Sequence, residues 1–151
     1  MSAGLDPVRG QGRRAFCAGC CALLAGAALG AGEEPGRRPD AQPEKTTRET
    51  RATMPAGTLR DYRKDGAFFL MADAAGIYAV TAICTHKGCS VYAQGGEGFH
   101  CPCHDSEYDR AGHVTQGPAQ RALRHLAVRE ATPGGALVVD VGREVPADER
   151  I

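Results

Sequence analysis

Two short stretches constrain this chain more than anything else in it: CTHKGC at residues 84–89 and CPCHDSEYD at residues 101–109. Cys84 and His86 are two apart, which puts them on one side of an extended or turning loop. Cys101 and His104 are three apart and do the same across a tight turn. Fourteen residues lie between His86 and Cys101, enough for a hairpin that sets the loops tip to tip. Each loop then offers one thiolate and one imidazole.

Two metals suit such a set. Tetrahedral zinc takes two Cys and two His, but its usual knuckles hold a pair of like ligands each. Here each loop carries one of each kind. A two-iron cluster with Cys on one iron and His on the other uses this split, and neutral imidazole raises its potential above that of an all-thiolate cluster. Cys89 and Cys103 exceed what either site needs.

The surroundings predict short strands. Ala67–Ala72 (AFFLMA) and Ile77–Ile83 (IYAVTAI) flank the turn signal Asp73-Ala74-Ala75-Gly76 and read as a hairpin. Ser90–Ala93 and Gly98–His100 flank Gly95-Gly96 and suggest a second hairpin. Further strands are expected at His113–Thr115, Leu123–Arg129 and Ala136–Val141. Tryptophan is absent and glycine numbers 20, so the core must be aliphatic and the chain rich in turns. The expected fold is all-β, a small antiparallel sandwich or barrel that carries the two loops as a subdomain.

The loops CTHKGC and CPCHDSEYD resemble those of the Rieske 2Fe-2S proteins, and the resemblance covers residues from about 55 to 141. It implies one 2Fe-2S cluster, with Cys84 and Cys101 on one iron and His86 and His104 on the other. It also implies a disulfide between Cys89 and Cys103, as in the high-potential members found in cytochrome bc complexes and arsenite oxidases. Oxygenase Rieske domains and their ferredoxins typically lack that pair. In the same subgroup the residue matching Ser106 bonds a bridging sulfide, and the one matching Tyr108 bonds a cysteine ligand sulfur. Donors aimed at sulfur favour the more negative reduced state and raise the potential. Gly117-Pro118-Ala119 resembles the proline loop that covers the cluster from a third side.

Two positions depart from that pattern. Lys87 stands where quinol-oxidising members usually carry Leu, and a cation there disturbs an apolar docking surface. Asp105 replaces the common Gly, which adds an anion and demands a backbone conformation that Gly adopts more readily. His100, His113 and His125 are expected to be surface or strand residues.

Residues 1–32 read as a twin-arginine signal or a membrane anchor. The Arg13-Arg14 pair precedes the uncharged, Ala- and Gly-rich run Ala15–Ala31, and Ala28-Leu29-Gly30 approximates a cleavage site. Cys17, Cys20 and Cys21 read as small apolar filler, with lipid attachment as the alternative. A cluster assembled in the cytoplasm must cross the membrane inside a folded protein, which the twin-arginine route allows. A disulfide agrees with an oxidising compartment. Residues 33–53 contain no large apolar side chain and read as a flexible linker, leaving 54–151 as the cluster domain.

The function expected is one-electron transfer as the iron-sulfur subunit of a cytochrome bc-type quinol:cytochrome c oxidoreductase, on the periplasmic face of a bacterial inner membrane. The chain would carry no catalytic residue of its own, and its partners would be cytochrome b/c-type proteins. The alternatives are the small subunit of an arsenite oxidase-type molybdenum enzyme beside a molybdopterin subunit, a free periplasmic carrier, and an oxygenase ferredoxin. Net charge is zero and no basic stripe is interleaved with aromatics, so nothing points to nucleic acid.

Overall fold

The computed structural model describes residues 44–151, and the segment read as a signal or anchor lies outside them. The strands are β1 (Lys45–Thr46), β2 (Leu59–Tyr62), β3 (Phe68–Ala72), β4 (Ile77–Thr81), β5 (Tyr92–Gln94), β6 (Gly98–Cys101), β7 (Ser106–Asp109), β8 (Val114–Gln116), β9 (His125–Glu130) and β10 (Leu137–Val145). They form a six-stranded sheet in the order β1-β10-β9-β4-β3-β2 and a four-stranded sheet in the order β5-β6-β7-β8. Every pairing between strands is antiparallel.

The run FFLMA of β3 is buried at every position because each face of the sheet has its own core. Side chains alternate across a strand. Phe69 and Met71 therefore join Tyr78, Val80, Phe99 and Tyr108 between the two sheets, so aromatic rings fill a core that the composition predicts to be aliphatic. Phe68, Leu70 and Ala72 join Tyr62, Ala79, Leu126, Leu137 and Val139 on the other face. That second core draws on five adjacent strands of the large sheet, from β10 to the edge strand β2, so the sheet curls around it. The polypeptide beside its two edge strands meets: Arg48 N–H donates to the Tyr62 hydroxyl at 3.2 Å, and Arg60 pairs with Glu49 at 3.2 Å.

The β3–β4 hairpin forms where the sequence predicts it, with Asp73 Oδ1 accepting from the backbone of Ala75 and Gly76. The β5–β6 hairpin likewise spans Gly95-Gly96. Two expectations shift. Strand β4 ends at Thr81 rather than Ile83, which makes only an isolated bridge to Ser90 as the chain turns into the first loop. The stretch 33–53 reads as linker, yet β1 pairs with β10 and Thr47 is buried, its hydroxyl donating to Leu137 O at 2.9 Å. A two-residue edge strand fixed by a distant partner has no periodicity of its own to read. Residues 33–43 lie outside the described part.

Arg110 ties the two sheets together. Its guanidinium donates to Gly96 O at 2.7 Å on the β5–β6 turn, and to Gly57 O at 2.7 Å and Thr58 O at 3.1 Å ahead of β2. Among the described residues no helix is long and apolar enough to cross a membrane.

Candidate metal centre

The loop at 84–89 is a closed turn between β4 and β5. Cys84 N–H donates to Cys89 O at 2.7 Å, and Gly88 N–H donates to Cys84 O at 2.9 Å. Gly88 sits at φ +77°, a conformation that suits glycine. The loop at 101–106 is the tip of the β6–β7 hairpin, whose last rung pairs Cys101 with Ser106. This register fixes where the residues between them face. Cys89 and Cys103 form a disulfide that joins the two turns.

Cys84 and Cys101 are buried, unpaired in any disulfide and within hydrogen-bonding reach of each other. The rings of His86 and His104 lie with centroids 4.7 Å apart and planes at 89°. His104 is exposed and His86 half-buried. The sulfur atoms of Cys89, Cys101 and Cys103 also lie within 4.8 Å of one another. Two of those three are consumed by the disulfide, so that trio is no ligand set; it shows how closely the cross-link sits against the Cys101 thiol.

The electrostatics separate the two thiols. Burial works to raise the pKa of Cys84, but hydrogen bonds from the Tyr108 hydroxyl, the backbone of His86 and Lys87, and the Cys101 thiol bring it below the ordinary value. Burial, with Cys84 alongside, pushes Cys101 up. Loss of hydration, aided by neighbouring His104 and Lys87, holds His86 below the usual histidine value. A neutral imidazole and a readily ionised thiol are the protonation states a metal binds.

Tyr108 Oη lies 3.2 Å from Cys84 Sγ. It accepts from Thr85 N–H at 3.2 Å and lies 3.1 Å from Thr85 Oγ1. Thr85 Oγ1 donates in turn to Arg121 O at 2.5 Å. That spends the threonine proton elsewhere and leaves the phenolic proton for the cysteine sulfur or the threonine oxygen. Ser106 is fully buried, and its Oγ accepts from Ala119 N–H at 3.2 Å, which leaves its own proton to donate. Gly117, at φ +98°, lets the 117–119 segment approach this closely, since a Cβ there would stand 2.5 Å from Ser106 Cα. Thr85 and Arg121 went unnoticed in the sequence, because their contact depends on how two remote loops meet.

The other departures fall as follows. Lys87 is exposed beside His86. Asp105 adopts φ +54°, the left-handed conformation expected for a residue in a glycine position. His100 Nε2 meets Asp105 Oδ1 at 3.2 Å, and exposed His113 meets Asp109 Oδ2 at 3.1 Å. His125 is buried in β9, where its Nε2 donates to Ala111 O at 2.8 Å and its ring stacks on Tyr78.

The residues fit a mixed thiolate–imidazole cluster. Two buried thiols stand side by side with no disulfide between them, two imidazoles stand edge to face, and the shielded Nδ1 of His86 has no hydrogen-bond partner among the described residues. A buried nitrogen without a partner is costly unless something else occupies its lone pair.

Over 78 residues, 48% of this chain and 44% of the relative, the sequence is 41% identical to the cytochrome b6-f complex iron-sulfur subunit of Synechococcus sp. strain WH7803. It is 52% identical over 52 residues, 34% of this chain and 29% of the relative, to the subunit of the same name from Synechococcus sp. strain CC9605. The chain thus spans less than half the length of these curated relatives. Among solved structures, the plasma membrane Rieske protein of Synechocystis PCC 6803 matches at 32% identity and a TM-score of 0.43, covering 54% of this chain and 82% of that one. The family model of the Rieske [2Fe-2S] domain matches residues 47–128, more than half of the chain and all of the two loops, and the chain belongs to that family.

Proposed function

We propose that this chain is a one-electron carrier whose cluster is held by Cys84 and Cys101 on one iron and His86 and His104 on the other. The observation that carries this reading is that the two free thiols among the described residues, Cys84 and Cys101, are both buried in one core, while the rings of His86 and His104, from the same two turns, meet edge to face with His86 Nδ1 shielded and unpartnered. When bound, the 2Fe-2S group supplies reversible one-electron chemistry at a potential of roughly −150 to +300 mV.

The chain's own residues set where that chemistry takes place. Buried Cys84 and Cys101 close the inner side, in a core shared with Phe99, Leu123 and Ala119. The Tyr108 hydroxyl meets the Cys84 sulfur, and the free proton of the Ser106 hydroxyl would be offered to a cluster sulfide; both would favour the added negative charge of reduction. Exposed His104 leaves the outer side open to a redox partner. The disulfide limits how far the two turns can part.

We assign the partner by relationship. The relatives are named as iron-sulfur subunits of cytochrome b6-f complexes, which supports a cytochrome bc-type assembly; twin-arginine export to the extracytoplasmic face rests on the Arg13-Arg14 pair and the apolar run after it. Exposed Lys87 favours a second reading: docking to a soluble redox protein or a molybdopterin subunit rather than to an apolar quinol site.

An EPR-monitored redox titration of the full chain purified with its iron tests both. A Rieske-type signal with a midpoint in the upper part of the family range supports the quinol- or oxidase-linked role. A midpoint at the bottom of the range favours ferredoxin-like duty. A zinc content in place of iron refutes the iron-sulfur cluster and the electron-transfer role with it.

A further inference from the structure

We propose that Asp105 and His100 form a clamp that positions His104, and that this clamp is what allows a non-glycine residue to follow the histidine ligand. The inference rests on the reading that His104 is a ligand.

Asp105 and Ala67 are the two non-glycine residues at positive φ among those described, and Asp105 directly follows His104. A side chain in the left-handed region carries strain, less for Asp and Asn than for others, and a short polar side chain that finds a hydrogen bond offsets it. Two contacts do so here. On its backbone side, Asp105 O lies against the open face of Gly117, 2.6 Å from where a Cβ would stand. On its side-chain side, Oδ1 accepts from His100 Nε2 at 3.2 Å.

His100 is well placed for this. It lies on β6 immediately before Cys101, in register with Tyr92 on β5 and Glu107 on β7. The contact therefore spans the base of the turn that carries Cys101, Cys103 and His104. It closes a ring of six residues, 100–105, diagonally across the last hairpin rung, Cys101 with Ser106. With Asp105 held at both ends, the peptide leading from His104 cannot swing, and the exposed imidazole keeps its edge-to-face angle to His86. A glycine in this position would adopt the conformation without strain but would have no side chain with which to hold it. Aspartate trades that ease for a tether.

The clamp can be separated from the charge of Asp105. Asp105→Asn keeps a side chain that tolerates the left-handed region and can still meet His100, while removing the anion. Asp105→Gly removes anion and clamp together. His100→Leu removes the clamp and keeps the anion. The readout is the EPR spectrum of the reduced holoprotein, whose linewidths report the spread of ligand geometry, together with the midpoint potential.

Asp105→Gly and His100→Leu should both broaden the g-features, and Asp105→Asn should restore the wild-type width. The potential should instead follow charge, rising in Asp105→Asn and Asp105→Gly but not in His100→Leu. Wild-type linewidths in both Asp105→Gly and His100→Leu would overturn the clamp, as would Asp105→Asn as broad as Asp105→Gly. If one variant fails to load iron, the other decides by the same criterion. Absence of any Rieske-type signal from the wild-type protein would remove the ligand assignment itself, and the clamp with it.

Discussion

Tyr108 Oη approaches Cys84 Sγ to 3.2 Å, on the buried side of the candidate centre. The phenol is held there by Thr85 N–H, so its position does not depend on the sulfur alone. Removing the hydroxyl takes a donor from a sulfur that becomes more electron-rich on reduction. Tyr108→Phe should therefore lower the midpoint potential while iron content stays at the wild-type level. Ser106→Ala should act in the same direction. An EPR-monitored titration of each variant checks this, and an unchanged potential would remove the tuning role.

The Cys89–Cys103 disulfide closes a loop across 14 positions of sequence. A cross-link over a loop of about 15 residues contributes about 3 kcal/mol on the chain-entropy account. The double variant Cys89→Ala/Cys103→Ala should unfold at correspondingly lower denaturant and lose iron faster to a chelator. Chemical unfolding and the rate of visible bleaching measure the two effects separately.

Arg110 reaches three backbone carbonyls, one on a turn of the small sheet and two in the segment that leads into the large one. No lysine can reproduce that fork. Arg110→Ala leaves these acceptors without their donor and should cost about 2 kcal/mol. Arg110→Lys should recover only part of it, as read from urea unfolding midpoints.

His125 supplies a pH dependence. Burial holds its pKa below the ordinary value, and the bond to Ala111 O only partly offsets this. The unfolded chain, with a histidine pKa of about 6.5, takes up the proton first as pH falls. The neutral buried ring therefore contributes its full stabilisation above about pH 6.5 and loses it progressively below. His125→Phe keeps an aromatic ring for Tyr78 to stack on and should flatten that acid-side fall. Unfolding midpoints of the loaded protein between about pH 7 and 5 make the comparison.

What the sequence shows and what it hides divides along local and non-local lines. The β3–β4 hairpin was legible because an unbroken apolar run, a turn and a second apolar run are contiguous. The two loops were legible because metal-binding residue types are rare enough to stand out together. Strands β1 and β2 were not, since KT and LRDY carry no alternating pattern and exist as edges only because β10 and β3 accept them. Strand β7 hid inside the second loop's own motif. The strain at Asp105 was readable as a residue in a glycine position. Its partner His100 was not, because that meeting depends on the hairpin register.

The two cores flanking the large sheet are unequal in what sustains them. One contains Cys84 and Cys101 among its members; the other contains neither. On the proposed ligand set, removing iron would strike one compartment and spare its neighbour. The protein should behave as an anvil with a detachable head: amides of β9 and β10 staying slow to exchange after demetallation, while those of β6 and β7 open. Damage at the redox end would then be repairable by reloading, since the platform on which the loops must reassemble never dissolves.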